Sequence, residues 1–142
     1  MSVNSEKKKC GIGSNIYHFY TILNSIEYDS VDKREFLNDL NKFVNIVVPG
    51  EKTFEEKMKE LCRVSNIDIT NIINNIIKNQ HPISFGNSHF RAFLKSMTTQ
   101  GYYDEEAIER YIELLLEKIP PKILYPIINI TASNKLKLLL ER

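Results

Sequence analysis

The stretch DITNIINNIIKNQHP, residues 68–82, decides the fold class of this chain. Its isoleucines recur every three to four residues, which is the spacing of one face of an α-helix. Polar residues, most often asparagine, occupy the remaining positions, and His81-Pro82 ends the pattern. Isoleucine is a mediocre helix former because it is β-branched, but the periodicity outweighs that preference. The stretch therefore predicts an amphipathic helix whose isoleucine face is buried.

The same helical spacing continues on both sides of this stretch. Glu56 stands three residues after Thr53, which predicts a capping box at the start of one flanking helix. No run of alternating apolar and polar residues is long enough to predict a strand. We therefore predict an all-α fold, a compact bundle of about six to eight short amphipathic helices in a single domain. The predicted N-caps of the flanking helices are Ser14, Ser30, Thr53, Asp104 and Ser133.

Two segments lack a clear helical pattern. Residues 1–13 are polar and basic, which predicts a flexible N-terminal arm ahead of one all-helical domain at residues 14–142. Residues 122–131 contain an internal proline, so they fit either a short broken helix or an extended segment. No internal repeat is present, so a solenoid is not predicted.

The composition is that of a soluble globular domain and argues against several classes of protein. The chain has 142 residues, of which 42% are hydrophobic and 26% charged, and its net charge is +1. So small a net charge gives no overall attraction to nucleic acid or to a membrane surface. No apolar run reaches the length of a membrane span, and the first residues lack the apolar stretch of a signal peptide. We therefore predict an intracellular protein, in the cytoplasm or the nucleus.

Cysteine usage and codon bias add two further expectations. Cys10 and Cys62 are too few for a disulfide framework, and we predict two free thiols in a reducing compartment. The chain has nineteen Ile and fourteen Asn but only three Ala. That bias is typical of an AT-rich genome, such as that of a poxvirus-like DNA virus, an apicomplexan or a low-GC bacterium. It also means that the asparagine content by itself indicates no function.

Motifs for catalysis and for cofactor binding are missing from the sequence. The three histidines, His18, His81 and His89, form no metal-binding pair at helical spacing, and no Cys-x-x-Cys occurs. The Gly-Ile-Gly at residues 11–13 lacks the third glycine of a dinucleotide-binding loop. We therefore predict no enzyme activity, no catalytic residues, no metal, no cofactor and no small-molecule substrate.

The first functional hypothesis is a non-catalytic protein-interaction domain with an adaptor or regulatory role. Apolar side chains of the fourth and fifth predicted helices would line a groove for a partner, or a surface for self-association. Acidic side chains of the sixth helix would form the charged rim that sets partner choice. The competing interpretation is that the apolar side chains only close the core. The residues assigned to the partner site are Ile76, Ile77, Phe90, Met97, Glu109 and Glu113.

The alternative hypothesis, nucleic-acid binding, comes from the distribution of charge. Residues 69–103 contain no Asp or Glu, although the net charge of the chain is close to zero. Basic side chains of this acid-free span, together with the lysines of the N-terminal arm, would contact phosphates. The competing interpretation is a pair of buried helices, from which burial excludes acids. The residues assigned to this alternative are Lys78, Arg91, Lys95, Lys7, Lys8 and Lys9.

Overall fold

The computed structural model describes residues 11–100 and 105–116, and this part of the chain forms six α-helices and no β-strand. The side chains of residues 99–100 and 105–109 are outside the description. The all-α prediction is therefore confirmed for the described residues. The helices are α1 (Ile12–Ser25), α2 (Val31–Val47), α3 (Phe54–Leu61), α4 (Asn66–Ile77), α5 (Ser88–Gln100) and α6 (Glu105–Leu116).

Several predictions fall on residues that the structure does not describe. They concern the cap at Asp104, the last helix from Ser133, the segment 122–131, the thiol of Cys10 and the lysines of the N-terminal arm.

The predicted caps of α2 and α3 are confirmed. Ser30 Oγ accepts a hydrogen bond from the backbone N–H of Lys33 at 3.0 Å. At α3, the Thr53 hydroxyl accepts from the backbone N–H of Glu56 at 3.1 Å, and the Glu56 carboxylate accepts from the backbone N–H of Thr53 at 3.0 Å. Local sequence predicts these caps because donor and acceptor lie within one turn of each other.

The predicted cap of α1 is wrong. α1 begins at Ile12, so Ser14 lies inside its first turn. The backbone N–H of Ile12 donates instead to Asn66 Oδ1 at 2.9 Å, an acceptor supplied by the first residue of α4. Because that acceptor is 54 residues away, short-range sequence patterns cannot identify it. The predicted N-terminal arm thus overlaps α1 at residues 12–13.

The end of α1 receives a basic side chain from α2. Lys33, on α2, donates from Nζ to the carbonyl groups of Ile26 and Tyr28, just after α1. Burial lowers the pKa of Lys33, although the charge of Asp29 acts in the opposite direction. A cation at this place opposes the partial negative charge of a helix C-terminus.

The end of α4 has the geometry of a Schellman motif. Asn79 follows the helix with a φ of +60°, in the left-handed region that asparagine tolerates better than most residues. Its backbone N–H donates to Ile76 O at 3.0 Å, and the next N–H, of Gln80, donates to Asn75 O at 2.8 Å. These bonds satisfy carbonyl groups that would otherwise lack intrahelical partners.

α5 is the central helix of the described residues, and it packs against α1, α2, α4 and α6. Phe93 of α5 lies 4.6 Å from the ring of Phe19 on α1 and 5.4 Å from the ring of Phe36 on α2, centroid to centroid. Phe90 lies 5.2 Å from Phe36. All four rings are fully buried. The core is thus an aromatic cluster that three helices share.

α4 packs against α1 and α5, at the side of the bundle. Its isoleucine face is buried at Ile69, Ile73 and Ile76, as the periodicity predicts. No helix in the described ranges is long and apolar enough to cross a membrane.

Candidate functional site

The apolar residues predicted to form a partner groove lie mostly in the core. Ile76, Phe90 and Met97 are each at most 3% exposed, whereas Ile77 is partly buried. α4 and α5 therefore close against each other, and only Ile77 of this set reaches the surface. Glu113 is exposed on α6, and the side chain of Glu109 is among those not described. Ile76, Phe90 and Met97 therefore form no partner groove.

The basic residues of the acid-free span have different surroundings. Lys78 and Lys95 are exposed, but Arg91 is half-buried. Arg91 Nη2 donates to the carbonyl groups of Ile76 and Ile77 at 2.9 and 3.2 Å and to Asn79 Oδ1 at 2.8 Å. Arg91 thus joins the end of α4 to α5. One face of the span lacks acids because it is buried in the core. The other face carries asparagines and lysines instead of acids.

A cleft of about 230 Å³ opens between α1, α2 and the start of α3. Its apolar wall consists of Tyr20, Leu37 and Phe54, and two exposed amides, Asn24 and Asn41, form its rim. Tyr20 and Asn24 are four residues apart on α1, and Leu37 and Asn41 are four apart on α2. Each pair therefore presents one apolar and one amide side chain on the same helix face.

Tyr20 is held in a fixed orientation in this cleft. Its phenol donates to Glu55 Oε2 at 2.9 Å, and its ring packs edge-on against Phe54 at a centroid distance of 5.4 Å. Burial, followed by the hydrogen bond and the negative charge of Glu55, raises the pKa of Tyr20 to about 12. The phenol is therefore a neutral donor at physiological pH, and the Glu55 carboxylate lies beside the cleft as an acceptor for a cation.

Sequence reasoning missed this cleft, although part of its signal is present. Tyr20, Leu37 and Phe54 all belong to the apolar positions of their helices. Periodicity assigns such residues to the core, and it does not show which of them lie at the margin of the core. The two rim asparagines gave no signal, because asparagine is abundant throughout the chain.

A second cavity, of about 260 Å³, lies between the end of α4, the loop that follows it and α5. The loop is anchored by Phe85, whose ring is buried and stacks on Phe90 at 5.7 Å. It is also anchored where Asp39 Oδ2 accepts from the backbone N–H of Asn87 at 2.8 Å. Both anchors fix the wall of the cavity to the core. Its lining residues are Ile76, Asn79, His81, Pro82, Ile83, Ser84, Phe85 and Arg91.

The remaining chemistry-bearing residues do not assemble into a metal site in the described ranges. No three His, Cys, Asp or Glu side chains come together there. Cys62 is a free thiol that follows α3 and is partly buried. His89 Nε2 lies 3.9 Å from Asp32 Oδ2, which is an isolated contact between α5 and α2.

Comparisons with protein-family models, with curated proteins and with solved structures find no significant match to this chain.

Proposed function

We propose that this chain is a non-catalytic protein-interaction domain that seats an apolar side chain of a partner in the cleft between α1, α2 and α3. The observation that carries the proposal is the combination of an apolar wall with an amide and carboxylate margin. This is the apolar groove and polar rim of the sequence-based hypothesis, moved from α4–α5 to the surface between α1, the middle of α2 and the start of α3.

The size of the cleft favours a side chain over a cofactor. Pockets for small molecules usually measure roughly 300–1,000 Å³, whereas this cleft measures about 230 Å³. A single apolar anchor that fills such a cleft is the usual centre of a protein interface, and polar groups surround it. The amides of Asn24 and Asn41 would bond the partner backbone on either side of the anchor.

The charge beside the cleft defines the partner further. Glu55 has one carboxylate oxygen bonded to Tyr20, and a carboxylate accepts several hydrogen bonds. We therefore propose a partner segment that presents one large apolar residue with a lysine or arginine near it. An adaptor or regulatory role inside the cell, where Cys62 stays reduced, is part of the same proposal.

The nucleic-acid alternative has weaker geometric support. Stacking on unpaired bases needs exposed aromatic rings, but Phe85, Phe90 and Phe93, the aromatic residues of the acid-free span that the structure describes, are buried. Its basic residue closest to the core, Arg91, already bonds the end of α4. We therefore give preference to a protein partner.

Selection of random peptides displayed on phage against the immobilised full chain tests the proposal. We expect selected peptides to share one large apolar residue beside a lysine or arginine. Asn41→Arg, which places a long cation at the cleft, should weaken binding of the synthetic peptides at least about tenfold, or about 1.4 kcal/mol. The matched control is Asn74→Arg on the exposed face of α4, which should leave affinity unchanged. Equal affinity for both variants, or an acidic consensus, would overturn the proposal.

A further inference from the structure

The cavity of about 260 Å³ at the end of α4 is lined by hydrogen-bond donors, and it is separate from the proposed partner cleft. Arg91 contributes a guanidinium, which keeps its positive charge in proteins. His81 Nδ1 accepts from the backbone N–H of Ile83 at 3.2 Å, so its neutral ring carries the proton on Nε2, as a donor. Ser84 adds a hydroxyl to the lining. The polar side chains of this cavity are therefore mainly donors.

The orientation of Arg91 is fixed before any ligand arrives. Nη2 bonds two carbonyl groups at the end of α4 and the side-chain oxygen of Asn79. A guanidinium has five N–H donors, so the three on Nε and Nη1 lie outside these contacts. Because Asn79 Oδ1 faces the guanidinium, the amide NH₂ of Asn79 is a further donor. Fixed donors bind an anion with little loss of side-chain entropy.

The charge around the cavity is positive. None of its lining residues is acidic, and Lys42 Nζ donates to the backbone carbonyl of Ser84 at 3.3 Å. The acid that the contacts place near this loop is Asp39, whose carboxylate is buried, accepts from Asn87 and lies 3.7 Å from Lys42 Nζ. Lys42 and Asp39 therefore compensate each other, and the positive charge of the cavity is that of Arg91.

We propose that this cavity is a binding site for a terminal phosphate group, either inorganic phosphate or a phosphate monoester. A tetrahedral anion with three or four free oxygens uses several donors at once, and Arg91, His81, Ser84 and Asn79 line the same cavity. A phosphodiester offers two free oxygens and one charge, so it uses the same donors less fully. The site is separate from the partner cleft, and this proposal does not rest on the proposed function.

Nuclear magnetic resonance of the histidine rings tests the site in the full chain. The chain has three histidines, and only His81 lines the cavity. Inorganic phosphate is titrated at constant pH, with chloride holding the ionic strength constant. We expect a saturable shift of the His81 ring signals, while the signals of His18 and His89 move only with general salt effects. Lack of a saturable His81 shift, or equal shifts at all three rings, would overturn the proposal.

Two further comparisons, one of variants and one of ligands, test which residues form the site and which phosphate group it binds. Ser84→Asp puts a carboxylate into the cavity at an exposed loop position, and it should weaken phosphate binding at least about tenfold through like-charge repulsion. Thr21→Asp, the same charge change on the exposed face of α1, should keep the wild-type affinity. O-phosphoserine should bind as inorganic phosphate does, and dimethyl phosphate about tenfold more weakly because it carries one charge. Unchanged phosphate affinity in Ser84→Asp would contradict the site. Equal affinity for dimethyl phosphate would contradict a terminal phosphate as the ligand and would indicate a phosphodiester of a nucleic-acid backbone instead.

Discussion

The contact between α1 and α3 and the contact between α4 and α5 are made in opposite ways. At the first, Gly13 of α1 lies so close to α3 that a Cβ atom built on it would be 2.1 Å from the backbone oxygen of Leu61. At the second, Arg91 of α5 reaches across to the carbonyl groups that end α4. One contact needs the absence of a side chain, and the other needs a long polar one.

The two contacts differ in the substitutions that they tolerate. Backbone-to-backbone packing has no flexible atoms that can move aside, so adding one methyl group disturbs both helices. A contact through a side chain tolerates added bulk nearby, but it weakens when the side chain is removed, because a partly buried carbonyl group then loses a hydrogen-bond donor. Substitutions at the two contacts should therefore have effects of different size and different cause.

The largest effect is expected for Gly13→Ala. Alanine is normally favoured over glycine inside a helix by about 1 kcal/mol. Here the new methyl group meets the backbone of Leu61, so we expect a net loss of about 3 kcal/mol in the free energy of unfolding. Urea denaturation measures it. Gly86→Ala is the matched control, since nothing lies within 4 Å of its added Cβ and its φ is not positive. Similar losses in both variants would contradict the close-contact explanation.

An intermediate effect is expected for Arg91→Leu. Leucine keeps much of the packing of the arginine stem, but Ile77 O loses the donor that Arg91 supplies, whereas Ile76 O keeps the backbone N–H of Asn79. We expect the free energy of unfolding to fall by about 2 kcal/mol. Arg34→Leu removes an arginine whose ion pair with Asp29 is exposed on both sides, and it should cost less than about 1 kcal/mol. Equal losses in the two variants would show that Arg91 contributes only as a surface charge.

The smallest effect concerns Tyr20 and appears only at high pH. Its pKa is raised from 10.0 to about 12 in the folded state, so folding favours the protonated phenol. The stabilisation is fully present below pH 10 and is lost as the pH rises from 10 toward 12. We expect the free energy of unfolding of the wild type to fall more steeply in this range than that of Tyr20→Phe. Tyr28→Phe, at a position that is 38% exposed, is the control and should follow the wild type. Parallel curves for the wild type and Tyr20→Phe would contradict the assignment.

Periodicity and local capping residues predicted much of the described fold. Ile69, Ile73 and Ile76 of the isoleucine face are buried, and the Thr53–Glu56 capping box forms as its spacing indicates. The isoleucine spacing and the capping box are both set within one or two turns of the chain. The start of α1 was not predictable in this way, because its acceptor comes from Asn66 at the start of α4.

The candidate sites were less predictable than the helices. Ile76, Phe90 and Met97 were assigned to a partner groove because their helices have strong apolar faces, and those faces are buried against each other. The cleft beside Tyr20 and the cavity beside Arg91 each combine residues from separate elements. Spacing along the chain does not show how such residues meet.

The sequence by itself determined that the described chain is helical and which residues of each helix are apolar, because helix periodicity and capping depend on near neighbours. The tertiary structure decided which apolar residues stay at the surface. It also decided where Gly13 lets the backbones of α1 and α3 touch and how Arg91 binds the carbonyl groups at the end of α4. These features depend on contacts between residues far apart in sequence. Their energies arise only when the helices pack, because burial and hydrogen-bond satisfaction are properties of the assembled core.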